Sequence, residues 1–385
     1  MDVLKKAVLI GAGKIGRGII AKSLIGAGYS LTLLDVDEEL IALLRAAKSY
    51  TVRSLDETTD YTETITGYQA YSIGSKEAQT AICNADIIFV SVGVNNLSAL
   101  MRVVMCHLLK RVQTFRPPVD MVFCENIVGV SGRIENILKH ELGVDTSIFQ
   151  GKVGFSGGSV GVVVPPFTDS LHIVKGPYDD IHVEESALIT KVRIPHFVPV
   201  SNFELCIREK LYIYNMAHAL VSYIGWLFGY TYVDEAFASP RIILDARNAM
   251  RAVSNALSRE YDVPVNSIIK EAEDIEKRIC NKRIRDTVVR IGEDPVRKLG
   301  YNDRLVGAYR LTQKHGFACD AILKGIAAGF LFAVPGDEAA VKIQTSIIEH
   351  GICASVMAFT GITEDAAITK IVRYYNIFKN KSKNP

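Results

Sequence analysis

Two hydrophobic patterns divide this chain. In the first half, short runs are apolar at nearly every position: Lys6-Ala7-Val8-Leu9-Ile10, Leu31-Thr32-Leu33-Leu34, Asp86-Ile87-Ile88-Phe89-Val90-Ser91-Val92-Gly93 and Asp120-Met121-Val122-Phe123-Cys124. They alternate with helically spaced stretches after Gly18, over 76–82, over 97–109 and from near Val128. Runs without a polar face read as strands buried on both sides, and their alternation with helices is the signature of a parallel sheet. A further strand is predicted over 50–53. Between 151 and 200 the pattern turns to short β-rich runs at 160–164, 171–174 and Phe197–Val200, broken by Pro165-Pro166 and Gly176-Pro177, which predicts an extension of the sheet. From Phe203 onward helical periodicity takes over, with helices expected over 203–228, 233–260, 265–280, 302–316, 319–332, 337–350 and 364–378. The predicted fold is α/β: a Rossmann-type doubly wound sheet with a β extension over 1–200, then a C-terminal all-helical domain over 201–385.

The first strand runs into Gly11-Ala12-Gly13-Lys14-Ile15-Gly16-Arg17-Gly18 and then into a helical pattern carried by Ile19, Ile20, Leu24 and Ile25. In this order Gly11 allows a tight turn, Gly13 lets the backbone approach a pyrophosphate, and Gly16 lets helix and strand pack closely. The helix start, with Lys14 and Ile15, offers N–H groups and a partial positive charge to phosphates. Asp35 closes the second strand, 19 residues after Gly16, where a carboxylate accepts the adenosine ribose hydroxyls and repels a 2′-phosphate. NAD is therefore the expected cofactor rather than NADP, the alternative for Asp35 being an ordinary strand-end turn residue. Val92 and Gly93 end another strand at the same sheet edge and are expected beside the cofactor's middle section. Asn126 ends the next strand, either to bind a substrate oxygen or to cap a helix.

Composition narrows the class. At 385 residues the chain is too long for one ordinary core, and with 49% hydrophobic and 22% charged residues it is globular throughout. A net charge of +2 argues against a nucleic-acid surface, and the lysines at 379, 381 and 383 read as a solvated tail. Seven scattered cysteines without a Cys-x-x-Cys pair, and eight histidines without a ligand spacing, predict reduced core thiols and no metal. No signal peptide is expected, since Met1–Lys6 leads directly into a predicted strand, and the most apolar stretch, over 219–230, is too short to span a bilayer. A cytoplasmic protein is expected, a monomer or small homo-oligomer with neither membrane nor nucleic-acid partners.

The segment Lys210-Leu211-Tyr212-Ile213-Tyr214-Asn215-Met216-Ala217-His218 carries the candidate chemistry. At α-helical spacing His218 lies roughly 80° from Lys210, and Asn215 roughly 60° beyond it, so all three share a broad face. A partly desolvated lysine can act as a general base, a carboxamide can donate to a developing oxyanion, and an imidazole can orient the oxygen between them. The alternative is a surface lysine, a helix-face asparagine and a satisfied histidine. Farther on, Arg297, Lys298 and Arg304 form a basic cluster that can hold a phosphate or carboxylate, or simply be solvated or ion-paired.

These markers, together with Cys124-Glu125-Asn126, Arg297-Lys298-Leu299, Asp303-Arg304-Leu305 and Gly325-Ile326-Ala327-Ala328, resemble the polyol-specific long-chain dehydrogenases over essentially the whole chain. The compact length is similar to the branch acting on mannitol 1-phosphate. The resemblance implies a metal-independent, NAD-linked interconversion of a polyol phosphate and its keto sugar phosphate, such as mannitol 1-phosphate and fructose 6-phosphate. It implies Lys210 as general acid/base, Asn215 and Asn126 as the pair stabilising the oxyanion, and His218 as the orienting group. Other expectations are a dehydrogenase of an unphosphorylated polyol or hexonate and, from a different class, a non-catalytic NAD(H)-sensing module. In two places the chain departs from the family pattern. Gly161-Val162 stands where the family commonly has Asp-Arg, and Lys14 stands where it often has asparagine.

Overall fold

The structure is a computed structural model that describes residues 4–162, 164–165, 169–190, 193–317 and 320–381. Val163 and Pro166 of the expected β-rich run, Cys319 and the end of the basic tail lie outside the described residues. The chain forms two compact units, Met1–Ile207 and Arg208–Pro385.

The first unit is built on an eight-stranded sheet in the order β11-β10-β8-β7-β6-β1-β2-β5. Its parallel centre comprises β1 (Lys6–Ile10), β2 (Ser30–Asp35), β5 (Tyr68–Ser72), β6 (Ile87–Val90), β7 (Val119–Phe123) and β8 (Val153–Val160). The extension adds β10 (Ile181–Glu184), antiparallel to β8, and then β11 (Phe197–Val200), parallel to β10. Alternate residues of the apolar runs feed two cores. Ala7, Leu9, Leu31, Leu33 and Phe89 pack on one face with Ile19, Ile20 and Leu24, whereas Val8, Ile10, Ile88 and Val90 pack on the other with Ile82, Leu100 and Met101. Double-sided burial is why these runs carry no polar face.

A second sheet of three strands, in the order β4-β3-β9, comprises β3 (Ser49–Leu55), β4 (Asp60–Thr66) and β9 (His172–Lys175). The runs at 50–53 and 171–174 therefore belong to this smaller sheet, not to the main one. The strand expected at 160–164 is displaced: β8 ends at Val160, where the prediction began. Its sequence, Val153-Gly154-Phe155-Ser156-Gly157-Gly158-Ser159-Val160, is glycine-rich and so reads poorly as a strand, yet the glycines are demanded by close neighbours. A Cβ at Gly157 would strike the Phe203 ring, and one at Gly158 would come within 2.8 Å of Cys124 Sγ.

At the carboxyl end of β1, Gly11 has φ +95°, and a Cβ there would strike the Ser91 carbonyl. A Cβ on Gly16 would in turn strike the Gly11 carbonyl oxygen. The helix that follows the loop is π-helical over Gly16–Ala21 and α-helical over Lys22–Gly26.

The second unit is all-helical among its described residues. Its π-helical Lys210–Asn215 runs directly into Met216–Leu227, and the preceding helix, Phe203–Glu209, begins within the first unit. The single helix expected over 233–260 is instead two, Val233–Phe237 and Pro240–Tyr261, divided at Ser239-Pro240, because proline cannot supply the N–H that a continuous helix needs. The helix expected over 337–350 runs to Thr360 with a kink at Gly351, whose φ of +79° and ψ of 164° are non-helical. Two short helices, Val288–Gly292 and Pro295–Lys298, were not predicted; at five and four residues they are too short to show a period.

The crossing at Gly16 gives a direct test. Gly16→Ala should lower stability by about 1–3 kcal/mol through overpacking against backbone. Gly13→Ala, whose added Cβ meets nothing within 4 Å, should change it by no more than about 0.5 kcal/mol. Denaturant unfolding of the two variants beside the parent protein checks both.

Candidate functional site

In the first unit the carboxyl ends of β1, β2 and β6 open onto a cavity of about 420 Å³ lined by Gly11, Gly13, Asp35, Val36, Val92 and Asn96, among others. Gly13 is exposed, and the space its missing side chain leaves is empty, so another molecule can reach the backbone there. Ile15 is exposed and Lys14 half-buried on the turn beyond. Asp35 Oδ2 accepts the Ala12 N–H at 2.6 Å, while Oδ1 accepts those of Val36 at 2.7 Å and Asp37 at 3.1 Å. The carboxylate thus fixes the loop to the end of β2 and still lines the cavity. The open Gly13, the fixed carboxylate and the cavity between them fit the phosphate and ribose parts of a dinucleotide.

Val92 and Gly93 are held by a residue to which sequence reasoning gave no part. Glu125 is buried, and its Oε1 accepts the N–H groups of Val92 at 2.9 Å and Gly93 at 3.0 Å. Its signals in the sequence were its place in the Cys124-Glu125-Asn126 marker and at the end of a buried strand, where a carboxylate must find donors. Asn126, the next residue, is exposed at the same edge. Gly161 and Val162 follow β8, and Val162 packs against the apolar core of the first unit where the family pattern has a charged pair.

In the second unit, Lys210 and Asn215 bound the π-helical segment, and the Met216 N–H reaches back five residues to the Leu211 carbonyl. On an α-helix residues 210 and 215 would lie roughly 140° apart; the wider i→i+5 turn brings them round to one side. Both are half-buried. His218 is buried, 6% exposed, with its ring 4.5 Å from that of Tyr214. Burial pushes its pKa down to about 4; Asp286 pulls upward, but Arg290, Arg304 and Lys298 push further down. At neutral pH the imidazole is therefore uncharged, a hydrogen-bonding group and not a cation.

Gly307 packs the helix Arg304–Lys314 onto the π-helical segment, since a side chain there would meet the Tyr212 ring within 2.8 Å. This close packing brings Arg304 into the field of His218. Arg304 is buried and donates from Nε to Asp303 Oδ1 at 2.7 Å; Arg297, more exposed, donates from Nε to Asp294 Oδ2 at 2.7 Å and lies 3.7 Å from Asp303 Oδ2. Lys298 is 5% exposed, with Nζ donating to the carbonyls of Ile291, at 2.7 Å, and Glu293. Burial first, then Arg304 and Arg297, bring its pKa down to about 7. Arg290 makes a two-pronged pair with Asp286, one arm at 2.6 Å. His218, Lys298 and Arg304 thus share one electrostatic neighbourhood with this pair, and Arg297 joins through Asp303. Among the described residues no group of three or more His, Cys, Asp or Glu could hold a metal ion.

Residues 5–196 match the family model of the mannitol dehydrogenase Rossmann domain, and residues 202–384 that of the mannitol dehydrogenase C-terminal domain. The chain belongs to the mannitol dehydrogenase family. Among members of this family, the mannitol-1-phosphate 5-dehydrogenase of Caldanaerobacter subterraneus subsp. tengcongensis is 32% identical over 383 residues, covering 97% of this chain and 98% of the relative. The enzyme of the same name from Thermoanaerobacter pseudethanolicus is 32% identical over 381 residues, with the same coverage. The mannitol dehydrogenase fold is also that of Pseudomonas fluorescens mannitol 2-dehydrogenase, solved as a ternary complex with NAD and D-mannitol, at TM-score 0.79 and 16% identity over 100% of this chain and 95% of that one.

The depressed pKa of His218 carries a sign. A histidine at about 4 in the folded state and near 6.5 unfolded binds its proton more readily when unfolded, so stability is intact above pH 6.5 and falls as the pH drops toward 4. The slope from this group is about 1.4 kcal/mol per pH unit at most. His218→Gln should flatten the dependence of Tm on pH between 6.5 and 4; an unchanged slope would assign the acid sensitivity to other groups.

Proposed function

We propose that the chain is a metal-independent, NAD-dependent mannitol-1-phosphate 5-dehydrogenase, interconverting mannitol 1-phosphate and fructose 6-phosphate. The carrying observation is the 32% identity, over nearly the full length of both chains, to relatives of that name. The open glycine turn beside the fixed Asp35 carboxylate supports NAD over NADP, because a 2′-phosphate would meet that negative charge. Residues 1–200 bind the cofactor in this reading, through Gly11, Gly13, Lys14, Ile15, Gly16, Asp35, Val92 and Gly93, and residues 201–385 supply the catalytic base.

NAD held by these residues would supply the acceptor for the hydride on the carbinol carbon. Lys210 takes the hydroxyl proton as the C–H bond breaks, and returns it to the ketone oxygen in the reverse direction. Asn215, brought to the same side as Lys210 by the π-helical turn, and Asn126 donate N–H groups to the oxygen while it carries negative charge. His218, kept neutral by burial, orients that oxygen by a hydrogen bond. Arg297 and Arg304 hold the phosphate. Lys298, with two of its N–H groups on the carbonyls of Ile291 and Glu293, fixes the turn that carries them and adds charge to the cluster. Among the described residues no helix is long and apolar enough to cross a membrane. We place the enzyme in the cytoplasm, as a monomer or small homo-oligomer.

Purified protein should oxidise NADH with fructose 6-phosphate far faster than with free fructose, followed by loss of nicotinamide absorbance. Activity on fructose alone would remove the phosphate from this reading. Lys210→Ala should lower kcat by about 10²–10⁴ while the Kd for NADH stays at the parent value. Turnover undiminished in that variant would strike Lys210 from the mechanism.

A further inference from the structure

Arg17 lies one residue beyond the last glycine of the Gly-x-Gly-x-x-Gly loop and is only 2% exposed. A buried guanidinium ordinarily has a carboxylate partner. Among the described residues this one bonds to carbonyls instead: Nε donates to Ala12 O at 2.6 Å and Nη1 to Ser170 O at 2.5 Å. The guanidinium carbon is 5.3 Å from the centre of the Tyr50 ring, and the Tyr50 hydroxyl donates to the Arg17 carbonyl at 2.9 Å. Burial lowers the pKa of Arg17, while Tyr50, Tyr68 and Asp35 pull it back upward. Taking this charge out of water without a paired carboxylate costs stability, so what it holds in place is informative.

What it holds is one peptide of the loop. The Ala12 N–H is fixed by Asp35 and the Ala12 carbonyl by Arg17, which together fix the peptide planes on either side of that residue. In a trans peptide the carbonyl and the following N–H point in opposite directions. A carbonyl drawn inward onto Arg17 therefore aims the Gly13 N–H outward, on the open side of the turn where Gly13 leaves space. The second arm of the fork fastens Ser170, two residues before β9. A Cβ on Gly18, the next residue along the helix, would come within 3.0 Å of Ile173 on that strand.

We propose that Arg17 is a positioning residue for the cofactor, aiming the Gly13 N–H at the pyrophosphate and tying the glycine turn to the small sheet through Ser170. The inference rests on the NAD reading given above. Arg17 never touches the dinucleotide; it acts through the orientation of one peptide group.

Titration of the full-length protein with NADH by fluorescence, alongside steady-state kinetics, tests this. Arg17→Met should raise the Kd and KM for NADH at least about ten-fold, the scale of one lost hydrogen bond to a charged group, with a smaller change in kcat at saturating NADH. Arg17→Lys, which keeps the charge but cannot hold both carbonyls, should fall between Arg17→Met and the parent. Tyr50→Phe, which removes a bond to the Arg17 backbone and leaves the guanidinium, should lower Tm without moving the Kd; this separates positioning from mere stability. A folded Arg17→Met protein with the parent's Kd would overturn the proposal. If that variant does not fold, a parental Kd in Arg17→Lys overturns it equally. Failure of the unmutated protein to bind NADH would instead sink the cofactor reading, and this inference with it.

Discussion

At the carboxyl end of β1, backbone meets backbone with no room for a side chain: Gly11 against the Ser91 carbonyl, and Gly16 against the Gly11 carbonyl. Everything at the cofactor edge of the first unit is placed by that crossing. The Gly11 N–H reaches the Leu34 carbonyl of β2, and the Ser91 N–H just past β6 reaches the Ile10 carbonyl of β1, both at 2.8 Å, which extends the parallel ladders on both sides of β1 toward the loop. In the glycine loop Asp35 takes the Ala12 N–H and Arg17 the Ala12 carbonyl, while Glu125 takes the N–H groups of Val92 and Gly93 beyond β6. Buried amides must be paired, so the carboxylates at these strand ends stabilise the sheet and shape the cavity with the same bonds.

The second unit solves a different problem, that of keeping polar side chains workable on a helix that is otherwise buried. A π-helical turn does this by adding a residue to the turn, which moves Lys210 and Asn215 to one side at a cost in backbone hydrogen bonding. Gly307, which admits the Tyr212 ring, lets the helix bearing Arg304 approach that turn. The cations of the neighbourhood are restrained by acids or carbonyls, so their positions are fixed while the paired acids offset part of their positive field.

How much of this was legible in the sequence follows from which signals are local. The apolar runs of β1, β2, β6 and β7 have no polar face, and the glycine loop with Asp35 has a fixed spacing, so both could be read directly. The strand β8 was misplaced because its glycines answer to Phe203, Cys124 and Asp120, distant in sequence and invisible to a propensity argument. The small sheet was missed as a separate body because β3 and β9 are paired across more than a hundred residues. Lys210, Asn215 and His218 are legible as candidate residue types, but their angular relation on a regular α-helix differs from that on the π-helical turn. The switch to five-residue turns over Lys210–Asn215 has no composition of its own to announce it. Glu125 and Arg17 were passed over because a charged residue in a buried run is recognised by what it bonds, and bonds are not written in the chain.

The electrostatics of the second unit disfavour added positive charge. Burial and the nearby cations together disfavour a proton on His218 and weaken the one on Lys298. The cationic part of that environment acts with the opposite sign on a negatively charged oxygen, whereas burial, the larger cause, disfavours charge of either sign. In the proposed mechanism the fixed N–H donors and buried cations offset that cost for the oxygen while Lys210 exchanges its proton. Deprotonating an alcohol in this way is economical only while water is kept out. On that proposal the burial of His218, Lys298 and Arg304, which keeps the imidazole neutral, is as much a part of the chemistry as the charge of Arg304.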